Sequence, residues 1–140
     1  MTPSAARSLW TAFTVTVVVG FAASLIGCAS AGPLTPVEVS DIKSVTGTWK
    51  GIVYRSRFEP DHVELTIRED GSYDVVSRQT IGTSRGKGKI VISEGRLIIQ
   101  GERGHGVGMV LSSPSGYRVM NIQAALSDNS ILTAELYPSR

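Results

Sequence analysis

From Gly47 to the C-terminus, apolar and polar residues alternate with a period of two, and short turn sequences interrupt the alternation. Residues 62–69, HVELTIRE, place Val63, Leu65 and Ile67 on one face. A period of two is that of a β-strand, in which successive side chains point to opposite faces. The pattern therefore predicts a series of short strands, each with one buried face.

The loop after HVELTIRE fixes the register of the first clear hairpin. A two-residue turn at Asp70-Gly71 would mix the apolar and polar faces of HVELTIRE and SYDVVS (residues 72–77). A three-residue loop that ends on a left-handed Gly71 keeps the apolar faces together. This loop predicts two cross-strand pairs, Ile67 with Tyr73 and Leu65 with Val75.

The second hairpin consists of KIVIS (residues 89–93) and RLIIQ (residues 96–100) on either side of Glu94-Gly95. A two-residue turn between them brings apolar residues opposite one another and also sets a cation against an anion, both of which favour pairing. The predicted pairs are Ile92 with Leu97, Ile90 with Ile99, and Lys87 with Glu102.

Eight such strands follow one another, from TWKGIVYRS (residues 48–56) to SILTAELY (residues 130–137). Regular short strands joined by turns indicate an antiparallel sandwich or barrel. Consecutive hairpins favour an up-and-down meander, and closure of that meander removes its exposed edges. We therefore predict an all-β fold, a single small eight-stranded antiparallel up-and-down β-barrel over residues 46–140. Most strands are shorter than the roughly 9–11 residues that a membrane-spanning strand needs, which argues against a transmembrane barrel.

Residues 1–27 differ from the rest of the chain. Arg7 is their only charged residue, and residues 9–27 are apolar or small. A basic start before an apolar run is typical of a secretory signal peptide. The alternative is a permanent transmembrane helix, since about 18 apolar residues can span a bilayer.

Leu25-Ile26-Gly27-Cys28 resembles the lipobox of bacterial lipoproteins. The resemblance implies that Cys28, the only cysteine of the chain, carries a thioether-linked diacylglycerol. It also implies cleavage before Cys28 and acylation of the new amine, with no other cofactor. Several acyl chains are needed because one chain alone binds a membrane only marginally. Ala29 and Ser30 stand where an Asp would favour inner-membrane retention, which implies an outer-membrane lipoprotein that faces the periplasm.

Residues 28–45 are predicted to form a tether after the lipidated cysteine. Its first half, ASAGPLTP, is small residues, Gly and Pro, which suits a linker. Thr35-Pro36-Val37-Glu38 has the pattern of a capping box with Pro at the first helical position, and predicts a short helical turn before the barrel.

Gly47-Thr48-Trp49, which opens the first strand, resembles the Gly-x-Trp start of the lipocalins. The resemblance implies that a short helix closes one end of the barrel and that Trp49 packs over it. It also implies that an Arg late in the chain stacks on Trp49, with Arg118 and Arg140 as the two candidates.

The chain has few features that point to catalysis. It contains no nucleophile elbow, and its glycine-rich stretches do not match a phosphate-binding loop. His62 and Glu64 share the polar face of their strand and His105 lies between glycines, so we expect surface positions rather than a metal or acid–base site. The net charge of +2 gives no field that would attract nucleic acid.

The resulting hypothesis is a non-enzymatic barrel that binds a small apolar ligand or lipid. The predicted ligand-contacting residues are Trp49, Leu65, Ile67, Tyr73 and Val75. The alternative is a protein-interaction, envelope-assembly or inhibitor module whose barrel core is filled. An eight-stranded barrel permits either, because its interior is just wide enough for side chains or one small ligand. Glycines at alternate positions (86, 88, 106 and 108) either allow tight curvature or leave interior space.

Overall fold

The structure, a computed structural model, describes residues 32–140. These residues form nine β-strands and one short 3-10 helix, Ile42–Val45. The strands are β1 (Thr35–Val37), β2 (Gly47–Arg55), β3 (Asp61–Ile67), β4 (Ser72–Gln79), β5 (Gly82–Ser93), β6 (Arg96–Gly101), β7 (Gly104–Ser112), β8 (Arg118–Leu126) and β9 (Ile131–Pro138). Within this part of the chain no helix is long and apolar enough to cross a membrane.

Strands β2 to β9 form a closed barrel. Each pairs antiparallel with the next, and β9 returns to pair with β2, where Gly51 lies opposite Leu136. Closure leaves none of the eight strands with a fully exposed edge, which removes a route to edge-to-edge aggregation. The predicted eight-stranded up-and-down barrel is confirmed, and β1 is an additional short strand outside the meander.

Both predicted hairpin registers are confirmed. In the first, Ile67 pairs with Tyr73, and Gly71 adopts φ 82° at the end of a three-residue loop. The β8–β9 hairpin repeats this loop, since in each the fourth residue donates to the carbonyl of the first. In the second hairpin Ile90 pairs with Ile99, and the two residues of the Glu94-Gly95 turn have positive φ, as a type I′ turn requires. The expected Lys87–Glu102 ion pair is present at 3.8 Å.

The prediction of a capping box and helical turn at Thr35–Glu38 is wrong, because residues 35–37 form β1. Strand β6 is short and pairs only with Gly104 to Gly108 of β7, which leaves the rest of that edge open. Strand β1 covers it by pairing with residues 110–112. The helical turn lies farther along, at Ile42–Val45, where the side chain of Asp41 accepts a hydrogen bond from the Lys43 amide at 3.0 Å.

The two ends of the barrel differ. At the closed end, the 3-10 helix and the β3–β4, β5–β6 and β7–β8 loops surround a packed layer of buried side chains. The preceding segment is fixed there by a hydrogen bond of 2.9 Å from the Val39 amide to the Gly95 carbonyl. At the open end lie the β2–β3, β4–β5, β6–β7 and β8–β9 loops. The buried core consists of Val45 from the 3-10 helix and of residues from alternate positions of the strands, among them Trp49, Leu65, Ile67, Leu97, Val110, Met120 and Leu136.

Candidate functional site

Trp49 seals the closed end. Its side chain is 2% exposed, and its indole Nε1 donates a hydrogen bond of 2.9 Å to the Val45 carbonyl at the end of the 3-10 helix. The Arg118 guanidinium carbon lies 5.6 Å from the Trp49 ring centre, and its Nη1 donates to the Ser44 carbonyl at 2.9 Å. Of the two arginines that the lipocalin resemblance offered, the structure places Arg118 on Trp49.

A cavity of about 240 Å³ lies between this packed layer and the open end. Gly86, Gly101 and Gly104 form part of its wall. Most of its side chains are apolar and come from seven of the eight barrel strands; they are Val53, Val63, Leu65, Tyr73, Val75, Ile90, Ile99, Ile122, Ala124, Leu126, Leu132 and Ala134.

Three of the five predicted ligand-contacting residues line this cavity: Leu65, Tyr73 and Val75. Trp49 and Ile67 do not, because both are 2% exposed in the packed layer at the closed end. Position along β3 explains the split. Leu65 and Ile67 share the inward face, but Ile67 is one step closer to the sealed end.

Tyr73 lies across a row of glycines. Gly88 and Gly101 are its successive neighbours on β5 and β6. A Cβ at either glycine would come within 2.8 or 2.6 Å of the Tyr73 hydroxyl, so the phenol occupies the space that the missing side chains leave. Burial, with a smaller effect of the Glu102 carboxylate, raises the pKa of Tyr73. A phenol is protonated at neutral pH, so the Tyr73 hydroxyl can donate a hydrogen bond at the cavity wall.

A ring of polar side chains lies between the apolar floor and the open end. Asp61 is 6% exposed, and its Oδ2 accepts three hydrogen bonds. The donors are Arg55 Nη2 at 2.6 Å, Gln79 Nε2 at 2.9 Å and Ser77 Oγ at 3.3 Å. The ion pair with Arg55 compensates the buried carboxylate, which would be costly alone.

The sequence interpretation missed this ring, although the signal was present. Asp61 has the same parity as Val63 on β3, and Arg55 has the same parity as Val53 on β2. Period two therefore points both side chains inward. Polar residues at inward positions, all near the same end of the barrel, are the pattern that would have predicted a polar mouth.

Charged residues surround the mouth, but the strands direct few of them inward. Arg55 and Asp61 are at inward positions and pair with each other. Arg85 and Lys87 also border the cavity, but they alternate with the inward Gly86, so their exposed side chains lie on the outer face. Among the strand residues that line the cavity, Arg55 is thus the cation whose side chain points into the mouth, above an apolar floor.

The histidines do not join a polar cluster. His62 is exposed on the outer face, and its neighbour Glu64 pairs with Lys50 at 3.4 Å. His105 is exposed beside the cavity rim. In the part of the chain that the structure describes, no group of three His, Cys, Asp or Glu residues could hold a metal ion. Cys28, the predicted lipid attachment site, lies outside the described residues.

A closed antiparallel β-barrel with one sealed end and a cavity open at the other defines the structural class of this chain. No protein-family model matches the sequence. No curated protein matches it significantly either.

Proposed function

We propose that this protein is a lipocalin-like lipoprotein, anchored through Cys28 to the outer membrane and facing the periplasm, that binds a small apolar ligand or lipid in its barrel without catalysing a reaction. The observation that supports ligand binding is the cavity of about 240 Å³ above the packed layer. A barrel of eight strands either fills its interior with side chains or leaves room for one small ligand. The cavity favours the second arrangement.

The lining also suits an apolar ligand with one polar end. Known ligand pockets are mostly apolar, with a few polar groups that fix orientation. Here the apolar floor includes Leu65, Val75 and Ile122, and the polar groups are confined to the mouth around Asp61 and Arg55. A ligand could bury its apolar part and leave its polar part in the mouth.

Native mass spectrometry of the purified full chain tests ligand binding. We expect either a co-purified lipid or a mass shift on addition of octanoate, because the cavity floor is apolar and open. Gly86→Val places a side chain in the cavity wall beside Val75 and should weaken the shift at least several-fold. Val107→Leu, on the outer face, adds a methylene group outside the barrel and is the matched control.

A protein that carries no lipid and shows no mass shift with octanoate would contradict the ligand-binding proposal. The interaction module would then be the better hypothesis. Phe58 and Ile81 support that second candidate, because they are 65% and 92% exposed on two loops of the open end. Exposed apolar side chains at loop tips are the kind of feature that a partner protein covers.

The anchor is tested by Cys28→Ser in a bacterial host with the lipoprotein pathway. We expect the variant to lose its acyl mass and to leave the membrane fraction, because no thiol remains to accept the diacylglycerol. Ser30→Ala, two residues farther on, should remain acylated and membrane-bound. If Cys28→Ser still partitions with the membrane, residues 9–27 act as a transmembrane helix and the lipoprotein proposal fails.

A further inference from the structure

We infer that the ligand is a single-chain anionic amphiphile of about eight carbons, with its headgroup on Arg55 and its chain on the apolar floor. The inference rests on the proposed function and specifies the chemical class of the ligand. Three features support it: the unused donors of Arg55, the saturation of Asp61 and the cavity volume.

Most of the N–H donors of the Arg55 guanidinium form no hydrogen bond within residues 32–140. A guanidinium carries five N–H groups in a planar fork. Within residues 32–140 the Arg55 side chain makes one hydrogen bond, from Nη2 to Asp61. Its side chain is 25% exposed, it lines the cavity, and its guanidinium carbon lies 5.2 Å from the Phe58 ring centre. The fork is therefore held in place while most of its N–H groups remain free for a carboxylate or phosphate, which it fits in geometry and charge.

Asp61 positions Arg55 and is a poor site for a cationic ligand. Its Oδ2 already accepts from Arg55, Ser77 and Gln79. An ammonium group would have to compete with these three donors. It would also approach the Arg55 guanidinium, which carries a like charge. An anion is instead attracted to that guanidinium, and the hydroxyls of Ser84 and Tyr73 at the cavity wall can donate to it.

The cavity volume sets the chain length. A water molecule takes up about 30 Å³ in the liquid, and a methylene group is of similar size. The cavity of about 240 Å³ therefore accommodates about eight carbons. A longer chain would protrude through the open end and gain little further burial.

Calorimetric titration with four eight-carbon probes separates headgroup recognition from simple apolar binding. The probes are octanoate, octyl phosphate, octan-1-ol and octyltrimethylammonium. We expect at least one anion to bind about ten-fold to one hundred-fold more tightly than octanol, as hydrogen bonds to a charged group imply. We expect the cation to bind more weakly than octanol. Tighter octanoate binding indicates a fatty acid, and tighter octyl phosphate binding indicates a phosphate-bearing lipid.

Arg55→Gln should remove the preference for the anion and leave octanol affinity unchanged. Because this change leaves Asp61 without its cation, the double variant Arg55→Gln/Asp61→Asn keeps the pair neutral and serves as the second test. Arg96→Gln is the matched control, since Arg96 is exposed at the start of β6 near the closed end. It should change neither affinity.

Equal affinity for octanol and both anions, or an unchanged preference in both Arg55 variants, would overturn the headgroup assignment while leaving apolar ligand binding intact. Tighter binding of the cation would overturn it as well. If none of the four probes binds, the proposed function itself fails, so the two failures are distinguishable.

Discussion

Replacing Trp49 with Ala is expected to lower the free energy of unfolding by about 3–5 kcal/mol, the usual cost of deleting a large buried aromatic side chain. The indole is 2% exposed and takes part in three interactions. It packs in the core, accepts the Arg118 guanidinium on its ring, and donates to the last carbonyl of the 3-10 helix. The change removes all three interactions at once. Chemical denaturation followed by circular dichroism measures the loss.

Two milder variants separate these interactions. Trp49→Phe keeps most of the apolar volume but leaves the Val45 carbonyl without its donor, and should cost about 1–3 kcal/mol. Arg118→Met keeps the apolar stem over the ring and should cost about 1 kcal/mol. A Trp49→Ala variant that loses less than Arg118→Met would show that Trp49 does not hold the closed end.

The same residues show how far the sequence determines the fold. The resemblance of Gly47-Thr48-Trp49 to the start of the lipocalins implied that a short helical turn and a late arginine would meet the indole, but left Arg118 and Arg140 as equal candidates. The choice depends on topology. Strand β8 begins at Arg118, directly across the β7–β8 turn at the closed end, and this brings the side chain over Trp49. No local pattern around either arginine carries that information.

Register was predictable where the turn and the buried face agreed. Gly71 and Gly95 sit at positions of positive φ, and each choice of loop length left only one register that kept apolar faces together. Strand β1 was not predictable in the same way. Its pairing partner is an edge of β7 that is free only because β6 is short, and residues distant in sequence determine this. The local pattern at Thr35–Glu38 instead predicted a capping box and a helical turn.

The candidate site was predicted in part for a related reason. Period two identified the inward face, and Leu65, Tyr73 and Val75 on that face do line the cavity. It could not show where along the barrel the packed layer ends, so Trp49 and Ile67 were grouped with them. Depth along the barrel axis is set by the shear of the strands and by which loops meet at which end.

The proposed ligand site and the most deeply buried part of the core therefore lie at different depths along the barrel axis. The sealed end holds the largest buried side chains, and a loss there should lower stability and affinity together. The mouth holds charged and hydroxyl groups whose replacement should change affinity with a smaller effect on stability. Glycines in the barrel wall allow neighbouring side chains to approach the backbone closely. Gly88 and Gly101 make room for Tyr73, while Gly106 and Gly108 lie against Ala124 and Leu97 and permit close packing.

Gly51→Ala is expected to cost about 3 kcal/mol or more, at or above the upper end of what overpacking costs. Gly51 lies in β2 between Val63 of β3 and Leu136 of β9, at the seam where the barrel closes. A Cβ there would overlap the Glu135 carbonyl oxygen and come within 2.9 Å of the Leu136 Cα. These are backbone atoms fixed by pairing on both sides, so no rotamer change can relieve the overlap.

Gly86→Ala is the matched control, because it makes the same chemical change on the same inward face of the barrel. Its Cβ would meet only Val75 Cγ1, at 3.1 Å, and that methyl group borders the cavity into which it can move. Stability should then change by less than about 1 kcal/mol, since the lost chain entropy of glycine in the unfolded state partly offsets the contact. Denaturation midpoints at equal m-values measure both variants. Equal midpoints for Gly51→Ala and Gly86→Ala would mean that β2 and β9 can move apart at the seam, and that the closed barrel tolerates a side chain there.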